Sequence, residues 1–384
     1  MTLIFKKKSR NFFQQTIPTI PYQFISENTF LVPIFKSSTI SQLFQFSTLS
    51  KQTHPKTRPP LKMSSIAIST SSTSSSSTFT SDQLLEKAAE FVEDCHYDIG
   101  AKFYLRALEM NPKNTLIMDA LADAYLQLDQ VNEAVLLLEK SISLAPNSGA
   151  TKWLSLAQLK LGQEALECYE CGIKLLSANK ESPQPIILAS AHCSVVELHM
   201  TDLCDSEGAE QTCENHLAQA LQLHPDGFEP NTMAASLRLV QQRRDEAIAH
   251  VDKVIASVNA AAPGNVARLE FSLPLRFSAA KSMIEVGRHD AAAGVLEGVL
   301  YGDDGNPEVW CVLGVCYQQL QEYDLAKDYL ERCLQMLLQD VNLMDQQNHV
   351  RGILNEVNQA MAMRGNGNDG GDGSIESMDV DDDL

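Results

Sequence analysis

Cys168 and Cys171 stand three positions apart in the run Cys168-Tyr169-Glu170-Cys171, the spacing of half a zinc site. Tetrahedral zinc takes four ligands, and no second pair of matching spacing follows. On a helix, residues three apart share a face, so the two thiols read as small packing residues and no metal is expected. Cys311 and Cys316, and the neighbours His192 and Cys193, have no positioned partner that would make a nucleophile or a base, and they too read as structural. The chain has no Walker-type glycine loop, no Gly-x-Ser-x-Gly elbow and no His-Glu-x-x-His helix. These residues predict no catalytic residue, no cofactor and no enzyme. The acids are more informative. Asp119 and Asp123 lie one helical turn apart, and a surface carrying both repels a carboxylate and attracts Lys or Arg. The alternative is that such acids form only a solvated helix face.

The charge balance points the same way. Thirty Lys plus Arg stand against 49 Asp plus Glu, a formal net charge of −19, which disfavours direct nucleic-acid binding and favours a basic polypeptide partner. The charge is unevenly spread: residues 1–62 hold nine Lys or Arg and one acid, Glu27. That segment also contains Pro18, Pro21, Pro33, Pro55, Pro59 and Pro60 and keeps no helical or strand period. It is expected to be a basic unstructured leader, an organelle-targeting segment, or an extension preceding a start at Met63. Nine cysteines without a secretory signal plan imply reduced thiols inside a cell. No apolar run approaches the roughly 18 to 20 residues that span a bilayer, so no membrane contact is expected.

The elements that must position these acids are helices. A Ser/Thr-rich linker occupies residues 63–81, and residues 82–364 are dense in Ala, Leu, Glu and Gln with few β-branched runs. Pro112 and Pro146 are 34 residues apart, and each closes a similar segment, Ala-Leu-Glu-Met-Asn-Pro and Ser-Ile-Ser-Leu-Ala-Pro. Two antiparallel helices of one repeat approach closely only where small residues face each other. Five such pairs occur twelve positions apart: Ala88 with Gly100, Ala122 with Ala134, Ala235 with Ala247, Ala280 with Ala292, and Gly314 with Ala326. Trp310, Leu313, Gly314 and Tyr317 reproduce Trp-x2-Leu-Gly-x2-Tyr, the signature of the tetratricopeptide repeat, whose period is 34 residues. Trp310 and Tyr317 are expected to be buried packing residues.

The predicted fold is therefore all-α, a tetratricopeptide-repeat superhelix (α-solenoid) of about seven helix pairs with disordered termini. Two units are irregular. In the third, Trp153, Leu156 and Ala157 are followed by Ala165 only eight positions on, as if four residues of the interhelix turn were missing. The fourth begins with a long helix from Ile186 to about Leu203, followed by the acidic connection Asp205-Ser206-Glu207-Gly208. Residues 341–364 are expected to form a terminal helix over the last apolar face. Residues 365–384 follow as an acidic tail with seven acids and no Lys or Arg, which cannot fold alone.

In the tetratricopeptide pattern the second, fifth, ninth and twelfth residues of each repeat line the inner groove. That pattern assigns the partner-binding groove to Asp82, Leu85, Asp119, Asp123, Leu126, Glu229, Leu239 and Glu308, with Gln318 beside them, and only Lys281 among these positions is basic. A clamp for a terminal carboxylate, which needs several Lys, Asn and Arg there, does not fit. Over residues 82–384 the sequence resembles the dedicated tetratricopeptide chaperones of large-subunit ribosomal protein 4. The resemblance rests on Cys193-Ser-Val-Val-Glu-Leu-His-Met-Thr-Asp-Leu-Cys204, on Ala234-Ala-Ser-Leu-Arg-Leu-Val-Gln-Gln-Arg-Arg-Asp-Glu-Ala247, and on the ending Met-Asp-Val-Asp-Asp-Asp. It implies a concave face that wraps a long basic loop of the newly made client, protects it from aggregation, and accompanies it from cytoplasm to nucleus for ribosome assembly; a monomer with one client is expected. The alternative is an organelle-targeted scaffold for a multiprotein complex, in plastid or mitochondrion, should residues 1–62 act as a transit peptide.

Overall fold

The computed structural model describes residues 79–180, 183–261, 271–339 and 343–367. The basic leader, the Ser/Thr tract up to residue 78 and the acidic tail from residue 368 lie outside the described residues. The described residues form fifteen α-helices and no strand, in two compact units. The first unit holds α1 (Ser81–Glu93), α2 (Tyr97–Met110), α3 (Thr115–Gln127), α4 (Val131–Leu144), α5 (Thr151–Leu159) and α6 (Gly162–Ala178). The second holds α7 (Pro185–Met200), α8 (Ala209–Leu223), α9 (Phe228–Val240), α10 (Arg244–Ala261), α11 (Leu273–Glu285), α12 (His289–Gly302), α13 (Pro307–Gln319), α14 (Tyr323–Leu337) and α15 (Met344–Gly367). Consecutive helices pack in pairs, and the pairs stack within each unit.

Capping residues set where the first helix of a pair begins. Thr80 and Gln83 form a capping box on α1, and Asn114 accepts from the amides of Leu116 and Ile117 at α3. Ser272 with Pro274 starts α11, and Asn306 with Pro307 starts α13. The ends are equally uniform. In five pairs a three-residue turn carries its middle residue in the left-handed region, at Cys95, Asp129, Gln242, Gly287 and Gln321, with φ between 58° and 84°. The following amide bonds back five residues, as from His96 to Phe91 and from Glu322 to Tyr317, so the last carbonyls are satisfied. This bonding holds four non-glycine residues in a conformation that costs each about 1 kcal/mol.

The small-residue pairs lie where the helices cross. Gly100 and Gly314 are buried, as are all eight alanines of the five pairs. A Cβ on Gly100 would sit 3.2 Å from the Ala88 carbonyl oxygen, and one on Gly314 would sit 3.3 Å from that of Ala326. Backbone approaches backbone there, which is the physical reason for the spacing of twelve.

The irregular third pair resolves differently from expectation. α5 has nine residues where the regular first helices have thirteen, and only Lys160 and Leu161 connect it to α6. Most of the shortening is thus lost helix rather than lost turn. In the fourth pair α7 is longer than its counterparts, at 16 residues, but it stops at Met200, short of Leu203, where the Leu203 amide bonds back to Leu198 O at 2.9 Å. α15 covers the end of the second unit by burying Val350, Ile353, Leu354 and Val357 in the core that contains Leu313, Leu330 and Leu337.

Trp310 and Tyr317 correct an expectation. Both are only partly buried at the edge of this core, whereas Leu313 is fully buried. Their polar ends explain the placement. Trp310 Nε1 donates to Asp304 O at 2.8 Å, pinning the loop that leads into α13, and Trp153 Nε1 does the same to Pro146 O at 2.9 Å. The Tyr317 hydroxyl donates to Glu297 Oε1 at 2.6 Å, and its ring stacks on Tyr329. Trp310→Ala is therefore expected to cost about 2 kcal/mol, less than the about 3 to 5 kcal/mol of a fully buried tryptophan. Urea denaturation of the two proteins measures this; a loss above about 4 kcal/mol would place the indole in the interior after all.

Candidate functional site

The predicted groove residues divide between the units. Asp82, Leu85, Asp119, Asp123 and Leu126 belong to the first; Glu229, Leu239 and Glu308 belong to the second. Asp82 is exposed in the first turn of α1, and Leu85 is half-buried one turn further on. Leu126 in α3 and Leu239 in α9 are half-buried as well.

α3 places Asp119 and Asp123 on adjacent turns, and both carboxylates are half-buried. Burial raises the Asp119 pKa, and the Ser141 hydroxyl and the Lys152 ammonium oppose the rise. Its Oδ1 is shielded from solvent and accepts no hydrogen bond among the described residues. Asp123 is pushed up to about 7, first by burial and then by the neighbouring Asp119 charge, and no cation among the described residues counters the shift. Tyr104 of α2 shares the site: burial raises its pKa, and the charges of Asp123 and Glu93 add to the effect.

Lys152 is the residue that sequence reasoning missed. It is buried at 3% exposure, and its ammonium donates to Ala145 O at 2.7 Å, to Ser148 Oγ at 3.3 Å, and to Ser141 O and Oγ at 3.4 Å. These are the last carbonyls and the following turn of α4, so the cation caps that helix and serves its dipole. An ammonium has three protons and already faces four acceptors, which leaves none to turn toward Asp123.

In the second unit the predicted acids are already engaged. Glu308 accepts from Lys281 Nζ at 2.7 Å, and the ammonium lies 4.4 Å from the centre of the Phe277 ring. Glu229 accepts from Ser190 Oγ at 3.1 Å, and Gln318 donates to Glu356 of α15 at 3.3 Å. Each contact joins first helices of successive pairs or the terminal helix, so these polar groups lace the stack together. Glu308 and Lys281 thereby neutralise one another. The charge signal was present in the sequence, but the pairing needs the register between α11 and α13.

Eight of the nine thiols are buried or half-buried in the packing, and Cys95 is exposed. No two of the nine cysteines form a disulfide, and burial pushes Cys168 up to about 11 and Cys213 and Cys316 up to about 12, which keeps those three neutral and unreactive. No group of three or more His, Cys, Asp or Glu that could hold a metal ion occurs among the described residues. Nor is any described helix long and apolar enough to cross a membrane.

The tetratricopeptide repeat family model matches residues 117–148 and 307–336, which lie over α3–α4 and α13–α14. With the helix pairs and their small-residue crossings, this defines an all-α tetratricopeptide-repeat protein. A probable assembly chaperone of rpl4 from Schizosaccharomyces pombe is 31% identical over 232 residues, covering 56% of this chain and 69% of the relative. A second, from Emericella nidulans, is 27% identical over 255 residues, covering 62% of this chain and 65% of that relative. A solved structure of an assembly chaperone of RpL4 (Acl4, residues 1–338) aligns with a TM-score of 0.55 at 24% identity, over 64% of this chain and 98% of the other, a likeness of fold. The chain belongs to the family of assembly chaperones of rpl4.

Proposed function

We propose that this protein is a non-catalytic chaperone for rpl4, holding the newly made ribosomal protein by basic residues seated on acids of its first helices. One observation carries the reading beyond the family likeness: Asp123 is a half-buried carboxylate whose shift no cation counters among the described residues, while the ammonium of Lys152, which faces the neighbouring Asp119, is spent on α4. A Lys or Arg brought by the client would hold that carboxylate ionised and form a charge-assisted hydrogen bond at a partly desolvated site. The long-range field of a chain with net charge −19 adds steering toward basic partners. Glu308, already neutralised by Lys281, contributes to the stack rather than to the client.

The test uses the full chain, purified rpl4 and a second ribosomal protein of similar basic charge. A stoichiometric complex with rpl4 that survives gel filtration at about 0.15 M salt, where exposed charges are screened beyond about 8 Å, is the expected result. Equal retention of both basic proteins would reduce the reading to general acidity and would remove rpl4 as the client.

A further inference from the structure

The seam between α7 and α8 is built around three imidazoles. His192 is 2% exposed, and its Nδ1 lies 2.9 Å from Nδ1 of His216. One hydrogen bond fits between those atoms, so one Nδ1 must carry a proton and the other must offer a lone pair. His199, two turns along α7 from His192, is 5% exposed. Its Nδ1 is 3.4 Å from Ser206 Oγ, and its Nε2 is buried without a hydrogen-bond partner.

We infer that this histidine seam is a proton-sensitive latch, which keeps α7 docked on α8 while the rings are neutral and releases that pair of helices on proton uptake. The geometry supplies the force. Protonating the second ring sets two N–H groups against each other across 2.9 Å, and a charged ring must remain in an interior with little water. Burial, followed by the neighbouring imidazole, lowers His192 to about 4. Burial and then His199 lower His216, and burial alone lowers His199.

The charged and titratable groups around the seam do not offset this. α7 itself carries Glu197 and the neutral thiol of Cys193, and the connection to α8 carries Asp202, Asp205 and Glu207. α8 carries Glu210, Cys213 and Glu214, the last paired with Arg238 of α9, and α9 carries Glu229, bonded to Ser190. None of these carboxylates is among the causes that set the three imidazoles, which are burial and one another. The sign follows from the folded values lying below that of a free histidine, about 6.5. Stability from the neutral rings is complete above about pH 6.5 and is lost as pH falls toward the folded values.

Hydrogen exchange with mass readout on the full chain tests the latch at about pH 7.5 and about pH 5, a span that brackets an ordinary histidine. After scaling for intrinsic exchange, amides of α7 and α8 should lose about tenfold or more of their protection at the lower pH. Amides of α3 and α4, which contain no histidine, should not lose protection. A protein with His192→Asn, His199→Gln and His216→Gln should keep its α7–α8 protection at both pH values. Should that variant misfold, nitrogen-resolved imidazole NMR of the unmodified chain still decides, by finding one protonated and one bare Nδ1 at neutral pH. Protection of α7 and α8 that changes less than about twofold, or two identical Nδ1 tautomers, would overturn the latch.

Discussion

Asp123→Asn should shorten the life of the rpl4 complex by about tenfold, or about 1.4 kcal/mol, with little change in the association rate. The side chain is half-buried and no cation among the described residues counters its shift, so on the proposed reading its contribution would lie in a short-range contact with a client Lys or Arg rather than in steering. The same substitution should leave folding intact. Its folded pKa is raised to about 7, so the stability it contributes is complete below about pH 4, the ordinary carboxylate value, and is lost as pH rises through 7. Asparagine removes that loss, and the variant should be at least as stable as the parent on the alkaline side. Client affinity of the parent should rise from about pH 6 to about pH 8, because the guest cation needs the ionised form, and the variant should lose this dependence.

Asp119→Asn is a less clean probe. It should weaken the proposed client contact but also strip Lys152 of a nearby counter-charge, so any binding loss would arrive with lost stability. Removal of residues 365–384, with their seven acids, should instead slow association and flatten its salt dependence, since exposed charge acts at long range. Stopped-flow association and dissociation rates separate these effects. If Asp123→Asn held rpl4 as long as the parent, recognition would have to lie with apolar positions such as Leu85, Leu126 and Leu239.

The largest stability effect should come from Gly314→Val. An added Cβ there would lie 2.6 Å from Leu330 Cγ, 2.9 Å from Leu330 Cδ2 and 3.3 Å from the Ala326 carbonyl oxygen. Leu330 is fully buried and the carbonyl belongs to α14, so neither has space to retreat. α13 and α14 must part, at a cost of about 3 kcal/mol or more, and α15 loses the surface on which it rests. Gly294→Ala and Gly352→Ala are the contrast, because a Cβ at either position meets nothing within 4 Å and both lie inside helices. Each should gain about 0.5 to 1 kcal/mol from helix propensity. Chemical denaturation of the three proteins reads both signs. A Gly314→Val protein of parental stability would mean that the close crossing is not what holds the pair.

The helix pairs were legible in the sequence because the contacts that make them are local. Ala88 meets Gly100 and Gly314 meets Ala326 across one interhelix turn, so pairs of small residues twelve positions apart and a period of 34 carry the packing itself. The family was legible for the same reason, through short contiguous segments such as Cys193–Cys204, which runs from α7 into the turn that follows it. The candidate site was legible only as residue types. Asp119 and Asp123 sit together because they occupy one helix, but whether either has a counter-charge depends on residues from other helices. Lys152 reaches the end of α4 from α5, Lys281 meets Glu308 from the next pair, and His192 faces His216 across a seam. Those meetings depend on the register of one helix pair on another and on how deeply each group is taken from water. Neither quantity has a period or a spacing in the chain, and together they decide which acids already have a partner and which do not.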